Sequence, residues 1–201
     1  MTEDAEADDG AGPAVHPDDR VGVDSPITDG ELARLRAIAA YQFGDGAEGL
    51  FTGAEGVQRT SSGRPRQVAD ADGARLVSFG TDGRFTLGVA GGRRLQALAA
   101  PANRVAVNAE SVPFVAEERN AFAKFVVGVD PDIRPGDEVL VVHGGATVGE
   151  GVALGGDDAP AETGAGTAER LLAVGRAELP ASGMTDFETG MAVKIRDGTE
   201  S

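Results

Sequence analysis

An α+β fold made of two small domains in tandem is predicted, and three observations carry the prediction. A lone helix with a capping signal opens the ordered part of the chain at Thr28. Short apolar runs separated by Gly- and Asp-rich turns follow it between Gly56 and Arg104. From Arg104 onward, a strand, a short helix, a strand, a Pro/Gly turn and another strand succeed one another, with two further strand patterns downstream.

Met1 to Ser25 holds eight acidic residues, one Arg and hardly any large apolar side chain. Such a segment cannot bury enough surface to offset the entropy of ordering, so residues 1–27 are expected to form a disordered acidic tail. Thr28 stands three residues before Glu31, the spacing of a capping box. Leu32, Leu35, Ile38 and Ala39 then fall on one helical face and Gly44 offers a stop, which predicts a helix from Asp29 to Phe43. Gly44, Gly46 and Gly49 match the dinucleotide pattern G-x-G-x-x-G, but a helix precedes them where that motif needs a strand, so no cofactor is expected there.

The next strands are Gly63 to Val68, Leu76 to Phe79 and Arg84 to Val89, the last two joined by Gly80-Thr81-Asp82-Gly83. Pro65 cannot donate to a ladder, which predicts an edge position for its strand. Gly91 to Leu98 reads as a turn into a brief helical piece before Pro101. Residues 28–101 thus form the expected first domain.

In the second domain, residues 102–197, Arg104 to Ala109 reads as a strand, Ser111 opens a short helix, and Phe122 to Val126 is a second strand. Pro131, Pro135 and Gly136 turn the chain into Glu138 to Val142. The stretch 143–170 is rich in Gly, Ala and acids, and its flanks look like consecutive hairpin strands, so it reads as a flexible insertion. Leu171 to Leu179 and Gly190 to Arg196 supply the closing strands, with a turn or short helix between them and a frayed end after them. Val139, Val141, Val174 and Ile195 are expected in the core, whereas Gly136, Gly175 and Gly190 answer backbone requirements.

Composition narrows the chemistry. The net charge is −15, with sixteen arginines against two lysines and few aromatics, a composition that resembles proteins of salt-in halophiles. At molar salt the screening length is roughly 3 Å, so net charge does not exclude an anionic partner. The absence of cysteine removes thiol nucleophiles and Cys-built zinc sites, and His16 and His143 fall in tail-like and loop-like surroundings. No apolar run of about eighteen residues and no signal-peptide pattern occurs, so a cytoplasmic chain without membrane contact, metal or cofactor is expected.

Charge is uneven along the chain. Residues 56–104 carry eight arginines (Arg59, Arg64, Arg66, Arg75, Arg84, Arg93, Arg94 and Arg104) against Asp70, Asp72 and Asp82, an excess of five positive charges. Forked guanidinium donors suit phosphate oxygens, which points to nucleic acid and to Arg64, Arg66, Arg84, Arg93 and Arg94. The alternative is that arginine merely replaces lysine on solvent faces. Lys124 is either a ligand contact or an exposed strand residue, and Lys194 with Arg196 either extends a basic surface or decorates a strand.

The ordered run RVAVNAE, FAKFV, PGDEV, AVGRA and GMAVKIR resembles a PUA domain, the small RNA-binding pseudo-barrel at the end of many RNA-modifying enzymes. YQFG at Tyr41 to Gly44, the pair Arg64 and Arg66, and Gly83 to Leu87 resemble the domain before PUA in archaeal tRNA-guanine transglycosylase and archaeosine synthase. The resemblance spans residues 28–197 and implies a small α+β domain followed by a PUA-like β pseudo-barrel that binds tRNA for archaeosine modification. It adds Asn120, Phe122 and Lys124 to the RNA-binding candidates, Asn120 as a left-handed turn residue where relatives carry Gly. The catalytic barrel of that family has no counterpart here, so the expectation is an RNA-binding accessory or split subunit, not an enzyme, with tRNA and an RNA-modifying enzyme as partners. The competing expectation is a protein-interaction module that docks on such an enzyme, or on ribosome-biogenesis machinery, with little RNA contact.

Overall fold

The computed structural model describes residues 25–100, 102–144 and 169–200. The acidic tail up to residue 24 and the insertion between 145 and 168 lie outside the described residues. Two sheets are built from chain segments that do not interleave. The first has the order β1-β2-β3-β4-β5, from Ser25–Pro26, Ala54–Arg59, Pro65–Asp70, Arg75–Phe79 and Phe85–Leu87. Helix α1 (Asp29–Phe43) packs on it through Leu35, Ala39 and Phe43, and α2 (Val89–Leu95) leads out of it. The expected tail therefore stops short of Ser25–Pro26, which pair with Gly56 and Val57.

Helix α1 begins and ends where its local signals place it. The Thr28 hydroxyl accepts the Glu31 N–H, the Glu31 carboxylate accepts the Thr28 N–H, and Gly44 ends the helix at φ 93°. The Glu31 carboxylate also accepts from Arg59, and this bond, followed by the Thr28 N–H, pulls its pKa from 4.5 down to about 2. A carboxyl held low in the fold stabilises it above the unfolded value, and the contribution disappears as pH falls. Replacing Glu31 by Gln should cost about 1–2 kcal/mol at neutral pH. In acid titrations followed by circular dichroism, the difference from wild type should vanish between pH 4.5 and about 2.

The second sheet has the order β7-β11-β10-β9-β6-β8. Its strands are Arg104–Val107 (β6), Ala121–Phe122 (β7), Val126–Val129 (β8), Glu138–His143 (β9), Arg170–Ala177 (β10) and Met191–Gly198 (β11), with α3 (Val112–Ala116) and α4 (Ala181–Asp186) between them. Only β6 and β9 run parallel, and the sheet curls into a nearly closed barrel. The edges, β7 and β8, are separated by a single 3-10 turn, Ala123–Phe125. Phe122 pairs with Met191 at one edge and Val126 with Val107 at the other, so this corner brings the edges together. The continuous strand expected from Phe122 to Val126 does not form, because one straight strand could not serve both edges.

Three other expectations, for Pro65, His143 and the chain end, are corrected by partners elsewhere in the chain. Strand β3 lies inside its sheet, and Pro65 is accommodated as its first residue, opposite Arg59. Ser111 stands at the N-cap of α3 as expected, and the turn before it is held by the Asn108 side chain, which accepts the Ser111 N–H, while the Ser111 hydroxyl donates to the Asn108 carbonyl. His143 ends β9 with Nδ1 2.9 Å from the Val107 carbonyl. The chain end stays in β11 through Gly198, with Asp197 buried.

Two apolar cores result, one inside the barrel and one between the barrel and the first sheet. Along β9, Val139 and Val141 point into the barrel with Val105, Leu172 and Ile195, whereas Leu140 and Val142 point into the core that holds Phe43, Phe51, Phe85 and Leu95. A strand buried on both faces is why Val139 to Val142 reads as an unbroken apolar run. Helix α2 lies against β10 because Gly92 has no side chain; a Cβ there would sit 2.5 Å from Val174 Cγ1.

Candidate nucleic-acid interface

Polar bolts across the seam between the two sheets determine what the arginines do. Asp197 accepts from Arg75 (2.7 Å) and from the Val89 N–H (3.1 Å). Glu138 accepts the Leu87 N–H at 3.1 Å and pairs with Arg196 at 3.2 Å. Burial pushes the Glu138 carboxyl above its ordinary value, opposed by the Leu87 N–H and by Arg196, Arg176 and Arg84 nearby. Arg84 pairs with Asp137 at 2.8 Å.

The arginine excess of residues 56–104 is consequently not one patch. Arg59, Arg75, Arg84, Arg94 and Arg104 are held by Glu31, Asp197, Asp137, Asp70 and Glu169. Nor do Arg84, Arg93 and Arg94 converge. Successive helical residues point about 100° apart, so Arg94 turns to the Leu50 and Thr52 carbonyls and Asp70, while Arg93 remains exposed beside Arg170. Arg64 and Arg66 are exposed where β2 turns into β3. Asn120 is not left-handed; Glu118 is, at φ 65°, and the Asn120 side chain instead accepts the Ile195 N–H at 3.0 Å.

A different set of residues does come together. Lys194 on β11 lies directly across from Arg176 on β10, and Arg176 across from Glu138 on β9, so these side chains share the outer face of the barrel. Arg196, two residues along β11, and Arg84, from the first domain, flank Glu138 on the same side. On the other side of β11, Phe122 is 45% exposed in β7. Lys124 follows on the corner, its Nζ 4.5 Å from the centroid of the Phe125 ring. The result is a solvent-facing strip over β7, β11 and β10 with an aromatic ring at one end and four cations at the other. Among the described residues, Lys124 and Lys194 carry no ion pair, whereas Arg84, Arg176 and Arg196 are held in position by carboxylates. Forked donors held this way, beside an exposed ring, can meet phosphate oxygens and stack on an unpaired base.

Sequence reasoning missed Arg176, although the AVGRA run contains it, because only cross-strand register shows its neighbours. It also missed Phe114, 46% exposed on α3, with the Arg119 guanidinium 5.3 Å from its ring centroid. Among the described residues, no group of three or more His, Asp or Glu is placed to hold a metal ion, and no helix is long and apolar enough to cross a membrane.

Residues 33–101 match the model of the patch-forming domain C2 of tRNA-guanine transglycosylase, and residues 103–159 match the PUA domain. The tRNA-guanine(15) transglycosylase of Pyrococcus abyssi is 37% identical over 183 residues, which is 90% of this chain and 27% of that protein. The same enzyme of Methanothermobacter thermautotrophicus is 38% identical over 171 residues, 84% of this chain and 23% of the relative. The chain thus spans about a quarter of the length of the curated relatives it matches. A conserved PUA domain protein from Thermoplasma acidophilum has the same fold, with a TM-score of 0.53 at 18% identity, covering 88% of this chain and 94% of that one. A hypothetical protein from Pyrococcus horikoshii superimposes with a TM-score of 0.55 at 18% identity and the same coverage. A nearly closed barrel and a match to the PUA domain over residues 103–159 define a PUA-domain protein. With the C2 domain bolted in front of it, the chain resembles the C-terminal region of archaeal tRNA-guanine transglycosylase, a region distinct from that family's catalytic domain.

Proposed function

We propose that this protein binds structured RNA, tRNA in the first place, and serves archaeosine-type tRNA modification as an accessory or split subunit of the modifying enzyme. The observation that carries this reading is the strip that crosses the seam, with Arg84 from one domain and Arg176, Lys194 and Arg196 from the other around the buried Glu138. Cross-domain contacts bring these side chains together, so the two domains present them as one surface. Phe122, Lys124 and the exposed Arg64 and Arg66 extend the proposed contact, while Asn120 and Arg94 act by holding the backbone. The setting that fits the acidic composition is a halophile's cytoplasm. There, long-range attraction is screened, and affinity must come from contact hydrogen bonds and stacking.

The test is a filter-binding titration of tRNA over a series of KCl concentrations. Lys194→Glu is expected to weaken retention and to reduce the slope of log affinity against log salt by about one. Phe122→Ala should weaken binding about tenfold or more at every salt concentration, because stacking on a base is worth roughly 1–3 kcal/mol. Wild-type tRNA affinity in both variants would move the interface elsewhere. Capture of a protein partner that persists after ribonuclease treatment, with no tRNA retained by the wild type, would replace RNA binding with protein docking.

A further inference from the structure

At the other end of the seam, Arg93 and Gln96 at the end of α2 face Arg170 and Leu171 at the start of β10 and Thr199 and Glu200 beyond β11. They line an open cleft of about 420 Å³, within the range of about 300–1,000 Å³ usual for small-ligand sites. Along β10 the cleft lies roughly 20 Å from Arg176, at about 3.3 Å per residue, so it is not part of the strip described above.

Two features of the lining point to an anion. Arg93 is exposed and, among the described residues, its guanidinium has neither a carboxylate nor a carbonyl partner. Arg170 is tied to Glu200 at 2.6 Å, with both side chains more than half exposed, 55% and 52%. A pair so wetted holds weakly and can exchange its carboxylate for a better acceptor. Glu169, the nearest other acid, already holds Arg104 with both oxygens and takes the Gln96 amide. Leu171 adds an apolar surface for the rest of a ligand.

We infer that this cleft binds a phosphate group, held by the forked donors of Arg93 and Arg170. Two guanidiniums on the lining of one cleft fit the tetrahedral, multiply accepting oxygens of a phosphate better than a single carboxylate. The phosphate belongs either to a free nucleotide or to an RNA chain. The volume leaves room for the attached sugar in both cases.

The test uses the full chain. Inorganic phosphate, AMP and a short single-stranded RNA are each titrated calorimetrically into wild type, Arg93→Ala and Arg170→Ala at constant KCl. Phosphate and AMP should bind wild type, and Arg93→Ala should weaken both about tenfold or more, the loss expected for one charge-assisted contact. Arg93 touches no partner, so this variant should melt with the wild type; Arg170→Ala provides an independent second reading. RNA that displaces AMP identifies the phosphate as part of an RNA chain, and RNA that binds without displacing it identifies a nucleotide. AMP and phosphate binding equal in wild type and Arg93→Ala, or absent from both, overturns the inference even if tRNA is retained. Arg93-dependent AMP binding without tRNA retention upholds the cleft and removes the RNA reading.

Discussion

Arg104→Ala is expected to cost about 3–5 kcal/mol of stability, the range for breaking a buried ion pair and leaving its partners unmatched. Arg104 is 2% exposed at the start of β6, and four of its five N–H donors are engaged. Nε donates to both oxygens of Glu169 (2.9 and 2.8 Å), Nη1 to the Ala102 carbonyl, and Nη2 to the Gln96 and Leu98 carbonyls. One side chain thereby fixes the end of α2, the link into β6 and the residue before β10. Removing it strands three carbonyls and a carboxylate together. Urea unfolding in high KCl should show the loss. An Arg104→Met, Glu169→Gln double variant should recover part of it, because the unmatched charge is gone. A loss below about 1 kcal/mol in the single variant would mean that solvent replaces the guanidinium at no penalty.

Gly91→Val is expected to destabilise the fold by about 3 kcal/mol, the upper end for forcing atoms into a packed interior. A Cβ at Gly91 would lie 2.1 Å from the Leu76 carbonyl oxygen, which belongs to backbone in β4 and cannot swing aside. Helix α2 would have to lift from the sheet, and with it the Val89 N–H from Asp197 and Gly92 from Val174. Gly30→Ala is the contrast. Nothing lies within 4 Å of a Cβ there, and its place in the first turn of α1 should turn the same kind of change into a gain of about 0.5–1 kcal/mol. Thermal melts of the two variants should therefore move in opposite directions from wild type.

Asn120 and Glu118 show where sequence reasoning reached its limit. Asn is tolerant of the left-handed region, and a tight turn was expected before the next strand, so Asn120 was the reasonable choice. The Ile195 N–H, seventy-five residues away in the chain, takes its side chain instead, and Glu118 adopts the turn conformation. The corner Ala123–Phe125 follows the same logic. Its apolar alternation suggests a strand, but two different strands claim its two ends. Arg84, Arg93 and Arg94 stand close together in the sequence and serve different regions of the surface because Arg84 and Arg94 find their acceptors, Asp137 and Asp70, elsewhere in the chain, while Arg93 stays exposed. Arg176 became a candidate only through its register with Lys194 and Glu138.

The residues alone were sufficient for whatever is decided within a few positions along the chain. Helix α1, with its Thr28–Glu31 box and its glycine stop, the Gly80 to Gly83 hairpin and the core valines of β9 belong to this group, whereas the tandem of α+β domain and PUA barrel was legible only through the family resemblance of its ordered motifs. These depend on hydrogen bonds and side-chain periods set by near neighbours. Tertiary structure alone decided which cations are engaged and which face solvent, since Asp137 and Asp197 reach Arg84 and Arg75 only after the domains dock, and Glu138 and Glu169 reach Arg196 and Arg104 only after the barrel strands pair. Ion pairing falls off within a few ångströms in salt, so a charge's role depends on the fold that places it next to another.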